Sequence, residues 1–164
     1  MPASDDRMDM HPYATVWRTR DLEGWGAALT TDVILDSPLL QASFRGRDTT
    51  LDLFAALFQS LDNFEITEHI AADRSHAFVW AATVGGRSFT GVDHVIHDAD
   101  GQISRISVFI RPLTGLGTFA AALGPALAKR RSRVRGAIST AITPALRLMF
   151  AAIDWVATRL IGLR

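Results

Sequence analysis

A single change of rhythm constrains this chain more than any other feature. Up to Ser60 the apolar residues recur every three or four positions, and from Phe64 they recur every two. The first period belongs to helices with one buried stripe, the second to strands with one buried face. Helices first, interrupted by one short strand, and then an antiparallel meander give an α+β fold. Its helices pack on one face of a curved sheet.

Met10 to Arg20 reads as a first helix, with Tyr13, Val16 and Trp17 at helical spacing and Pro12 in its first turn, where no N–H bond is lost. Asp21 can cap a second helix, Leu22 to Leu29. A third runs from Arg47 to Ser60, with Leu51, Phe54, Ala55 and Phe58 on one side and Asp48 as its expected N-cap. Short apolar strands follow at Phe64–Glu68, His76–Val84, Arg87–His97 and Gln102–Arg111. Gly85-Gly86 and Asp98-Ala99-Asp100-Gly101 supply the turns, and Pro112 ends the last strand.

The stretch DVILDSPLLQASFRGRDTTLDLF, residues 32–54, carries the first chemistry. A short strand, Val33-Ile34-Leu35, ends on the carboxylate of Asp36, next to a loop stiffened by Pro38. An acid there is either a structural cap, through Ser37 or nearby backbone N–H groups, or the reactive group of a pocket. Asp93 shares a strand face with Phe89, Gly91 and Val95, where an acid pairs with an arginine such as Arg105 or Arg111.

Charge divides the chain. Residues 1–128 hold nine Arg and no Lys against sixteen acids, a net −7; residues 129–164 hold seven Arg and one Lys against Asp154 alone, a net +7. The expected division is a domain over 1–124 and a basic, amphipathic helical tail over 125–164. In the tail, Ile142, Leu146, Met149, Ile153, Val156, Leu160 and Leu163 step by four and three. Arg147, Asp154 and Arg159 interrupt the run of about twenty apolar residues that a span needs. The tail therefore suits a membrane surface or a partner helix. At an anionic surface each basic residue of KRRSRVR, 129–135, contributes roughly 1 kcal/mol. Nucleic acid is not expected, because no aromatic residues interleave with these charges and the domain before them is acidic.

Cysteine is absent, which excludes disulfides and thiol catalysis. His11, His69, His76, His94 and His97 show no metal-ligand spacing, so neither a metal nor a cofactor is expected. The opening MPASDDRMDMHPY is acidic and lacks the apolar run of a secretory signal; the expected location is cytoplasmic.

DLEGWGAALTTDVILDSP, then FRGRD at the start of the third helix, then GVDHVIHDADGQISRISVFIRP: together these resemble the nuclear-transport-factor-2-like superfamily, in its SnoaL and ketosteroid isomerase branch. The resemblance spans about Tyr13 to Leu113. It implies a conical α+β barrel around an apolar pocket, commonly in homodimers. In ketosteroid isomerases the acid ending the first strand shuttles the proton, while a first-helix tyrosine and a strand aspartic acid donate hydrogen bonds to the enolate. The resemblance puts Asp36 at the base position, Asp93 at the acid position and Tyr13 at the tyrosine position. Gly91 stands where limonene-epoxide-hydrolase-like members carry an arginine, which argues against that chemistry. His94, next to Asp93 on a strand, should face away from it, unlike the pocket histidines of scytalone-dehydratase-like members.

Of the aromatic residues, Trp17, Phe54, Phe58, Trp80, Phe89 and Phe109 are the expected pocket lining, and the resemblance implies a small apolar molecule as the ligand. Two functions fit. One is cofactor-free acid–base chemistry on a carbonyl compound, as in an isomerase or polyketide cyclase. The other is a non-catalytic binding or assembly module whose tail reaches a membrane surface or another subunit.

Overall fold

The structure, a computed structural model, describes residues 11–131, with side chains up to Leu123, and the isolated positions Ala152, Trp155, Val156 and Arg159. Its elements are α1 (Pro12–Thr19), α2 (Leu22–Ala28), β1 (Leu29–Asp36), β2 (Phe44–Arg45), α3 (Arg47–Ser60), β3 (Asn63–Ala72), β4 (Ser75–Val84), β5 (Arg87–His97), β6 (Ile103–Arg111) and α4 (Leu113–Arg131). Local chemistry explains most boundaries. Asp21 accepts hydrogen bonds from the N–H groups of Glu23 and Gly24 and so caps α2. The α3 cap is Gly46, at φ 90°, with no side-chain cap bond, so Asp48 lies in the first turn rather than at the expected cap position. An acid there still favours the helix N-terminus.

The six strands lie in the order β2-β1-β6-β5-β4-β3. β3 to β6 form the expected antiparallel meander, but β1 joins β6 in parallel, so the sheet is mixed and its ends do not meet. The connection permits the parallel pairing: α3 and the meander separate β1 from β6, which is long enough for the crossover a parallel pair needs. The helices cover one face of the sheet. Tyr13, Val16, Trp25, Leu53, Phe54 and Ala56 from the helices meet Val33, Leu35, Phe78, Trp80, Phe89, Val95, Ile103 and Ile106 from the strands in one core.

α4 adds a fourth helix where only the end of the meander was legible. Phe119 and Leu123 are buried, and Phe119 meets the edge of Phe89 at 6.0 Å between ring centres. A Cβ at Gly115 would collide with Phe89, so this glycine lets α4 approach β5. The helix runs on through Gly124-Pro125 to Arg131. The rest of the basic, amphipathic tail lies outside the described residues, apart from the four isolated positions. Among the described residues no helix is long and apolar enough to cross a membrane.

Candidate functional site

Pairing register decides which side chains face the helices. On β6, Ile106 pairs with Val95 and with Leu35, while Val108 pairs with Asp93. These positions share the covered face. Ser107, one residue away, pairs with His94 and with Asp36, which places all three on the opposite face. The two acids singled out by sequence therefore lie on opposite sides of the sheet.

Asp93 is buried on the inner side. Its carboxylate accepts the Tyr13 hydroxyl on one oxygen and the Trp80 Nε1–H, at 3.0 Å, on the other. Gly91 makes the second bond possible. It sits directly opposite Trp80 in the β4–β5 pair, and a Cβ there would collide with the Trp80 indole and the Phe109 carbonyl oxygen. The missing side chain that argued against an arginine is thus the space that the indole occupies.

Burial raises the Asp93 carboxyl to about 6, and the hydrogen bonds from Tyr13 and Trp80 oppose the rise. Tyr13, also fully buried, is raised well above the usual phenol range, first by burial and then by the Asp93 charge and its hydrogen bond; the Trp17 indole acts in the opposite sense. The pair is an acid close to neutral pH held by a phenol that stays protonated.

Asp93 edges an apolar cavity. Its walls include Trp17, Leu53, Phe54, Leu57, Trp80 and Val108, closed by Phe119 and Leu123 of α4. The space open to the centres of water molecules is about 40 Å³. At roughly 10–15 Å³ for each, that holds about three waters, so a fused-ring compound enters only after side chains move. Ser37 and Asp93, together with the Trp17 and Trp80 indoles, are the side chains of the wall that carry polar atoms. Ser37, not Asp36, is the inward residue at the end of β1. Sequence reasoning missed it, although its position two residues after inward Leu35 was the available signal.

Asp36 is not part of this cavity wall. It bonds the Arg105 guanidinium at 2.8 Å, and the hydroxyls of Ser43 and Ser107 donate to it at 2.6 and 2.9 Å. Partial burial would raise its pKa, but these hydrogen bonds and the Arg105 charge outweigh it and hold the carboxyl below its ordinary value. Arg105, considered as a partner for Asp93, pairs with Asp36 instead. Asp36 is a tie between β1, β6 and the following loop, and the expectation that it faces Asp93 as the base is corrected by the alternation of β1.

Of the expected lining residues, Trp17, Phe54 and Trp80 border the cavity. Phe58 borders an adjoining polar hollow with Arg20 and Asp62, and Phe89 packs between Trp80 and Phe119. Phe109 is 61% exposed. It lies between inward Val108 and Ile110, so alternation turns it outward. A further cluster, also missed by sequence, joins His11, His69, His76 and His97 beyond Phe78, which stacks on Tyr13 at 4.7 Å and on His69 at 4.4 Å.

A SnoaL-like domain model matches residues 11–106. No curated protein matches. Among solved structures, a steroid delta-isomerase from Pseudomonas aeruginosa is 26% identical, with 73% of this chain and 86% of that chain covered and a TM-score of 0.64. An uncharacterised bacterial protein with a cystatin-like fold from Silicibacter pomeroyi is 24% identical, over 77% and 90%, at a TM-score of 0.65. A putative ketosteroid isomerase from Kribbella flavida is 21% identical, over 67% and 82%, at 0.53. The last two likenesses show the fold alone.

Proposed function

We propose, for a chain that belongs to the SnoaL-like domain family, that the cavity binds a small apolar carbonyl compound whose oxygen meets the Tyr13–Asp93 pair. Asp93 is then the group that gives and takes the proton. The observation that carries this reading is one carboxyl, raised to about 6, buried against a phenol and an indole at the edge of an apolar hollow. A proton shuttle works best with a pKa near the working pH, and Asp93 meets that condition. Tyr13 donates to whichever oxygen carries the developing charge, in a site with little water to compete. The likeness to a steroid delta-isomerase supports proton transfer beside a carbonyl as the reaction class. With Asp36 on the other face of the sheet, the two-acid scheme is replaced by a one-acid scheme.

A panel of one-ring ketones and the matching phenols, which resemble an enolate in placing charge on oxygen, tests the proposal by thermal shift and calorimetry. Phenols should bind more tightly than cyclohexanols of equal size. Deuterium exchange beside the ketone carbonyl should fall by orders of magnitude in Asp93→Asn and stay unchanged in Asp36→Asn. Failure of every ketone and phenol to bind, or equal exchange in wild type and Asp93→Asn, overturns it.

The second reading, a non-catalytic binding module, is favoured by the small size of the cavity. Phenol binding without any exchange would select it.

A further inference from the structure

Four of the five histidines meet at one point on the covered face of the sheet, from three stretches of the chain. His11 precedes α1, and His69, His76 and His97 come from β3, β4 and the end of β5. We propose that His11, His76 and His97 form a site for one late transition-metal ion such as Zn²⁺, with His69 orienting His76 from behind.

Distance is the first support. One ring nitrogen from each of the three lies within 4.8 Å of the others. Nitrogens each about 2.0–2.1 Å from a shared ion are at most about 4.2 Å apart, so a small rotation of one ring closes the set. His11 Nε2 and His97 Nε2 are already 2.9 Å apart.

Orientation is the second. His97 Nδ1 lies 2.9 Å from the Gly101 carbonyl oxygen, which only accepts. That nitrogen therefore carries the ring proton, and Nε2 turns its lone pair toward the cluster. A backbone carbonyl behind the ligating imidazole is the usual arrangement in metal sites. His69 Nε2 lies 2.9 Å from His76 Nδ1, and with His69 as the acceptor of that pair the His76 Nε2 lone pair is left for the ion.

His11 must change. Its Nδ1 accepts the Tyr13 N–H at 3.1 Å, so its proton sits on Nε2 and points at His97. Ligation requires that proton to move, through solvent, from Nε2 to Nδ1. The ring stays neutral, no net proton is released, and the Tyr13 N–H loses its ring acceptor. Two neutral hydrogen bonds, Tyr13 N–H to His11 Nδ1 and His11 Nε2–H to His97 Nε2, are exchanged for the bonds of the His11 and His97 nitrogens to the ion, and the His11 ring turns so that its new Nδ1–H does not face the Tyr13 N–H. The donor set selects the ion: three imidazoles with no carboxylate or thiolate suit Zn²⁺, Ni²⁺ or Cu²⁺ and reject Mg²⁺ and Ca²⁺. His76 and His97 are half-buried, so the cluster has a side open to solvent for a fourth ligand.

The test uses the full, untagged chain freed of metal with a chelator. Zn²⁺ added in a calorimeter should bind at one ion per chain, and Mg²⁺ should not bind. His76→Gln and His97→Gln should each weaken Zn²⁺ by at least about tenfold. His94→Gln, which removes the histidine bonded to Ser75 on the other face, should change nothing. Co²⁺ in the wild-type chain should broaden the ring NMR signals of His11, His76 and His97 and leave His94 sharp, which keeps the test independent of any variant that fails to fold. Absence of Zn²⁺ binding, equal weakening by His94→Gln and His97→Gln, or Co²⁺ broadening centred on His94 would each overturn the site.

Discussion

Tyr13 donates its phenolic hydrogen to the carboxylate of Asp93, 80 residues further along the chain. That bond ties the first helix to the centre of the meander and makes one buried unit of two groups whose pKa values are both displaced upward.

The Asp93 displacement fixes the sign of a pH effect. The folded carboxyl titrates near 6, above its ordinary 3.8. Its contribution to stability is full below about pH 4 and is lost as pH rises through 6. The size is about 3 kcal/mol. Burial also lowers His11, to about 3, as well as His69 and His76, and these act in the opposite sense over part of the same range. The difference between wild type and Asp93→Asn isolates the carboxyl. Urea unfolding between about pH 4 and 7 should show wild type losing stability relative to the variant as pH rises. A flat difference would refute the assignment.

Asp36 behaves differently. Its carboxyl is held low, so its contribution is present above the ordinary pKa and disappears only as pH falls through the folded value. The Arg105 pair is partly open to solvent, with side chains 46% and 30% exposed. Asp36→Asn should therefore cost about 1 kcal/mol at neutral pH and leave phenol affinity unchanged. Chemical unfolding and calorimetry on the same sample read both.

Gly91→Ala should be damaging despite its small size. The added carbon meets both the Trp80 ring and the Phe109 carbonyl, so the indole or the β6 backbone must shift. A loss of about 3 kcal/mol is expected, with a change in tryptophan fluorescence as the indole leaves Asp93. A variant as stable as wild type would mean that Trp80 does not lie across this glycine.

Two phenylalanines predicted from sequence to line the pocket should now separate. Phe54 is 2% exposed and Phe109 61%. Phe54→Ala should cost about 3–5 kcal/mol. Phe109→Ala should stay within about 0.5 kcal/mol of wild type, as outward positions do. Parallel melting curves decide it.

Local chemistry made much of the fold legible in the sequence. The Arg47–Ser60 helix follows from apolar spacing, Asp21 from capping chemistry, and the Arg87–His97 strand from alternation after a Gly-Gly turn, because each signal lies within a few residues of what it specifies. Tyr13 and Asp93 were marked as candidates through family resemblance. Three things were left to the tertiary structure. The parallel pairing of β1 with β6 set Asp36 beside Arg105 and Ser107 and left Ser37 on the cavity wall. The opposition of Gly91 and Trp80 across two strands set the indole on Asp93. Four histidines with no telling spacing became neighbours, because His11 and His97 are 86 residues apart in sequence and 2.9 Å apart in space. The physical reason is common to all three: periodicity specifies which way a side chain points along its own element, whereas contact between elements depends on how strands align and what the core can close around.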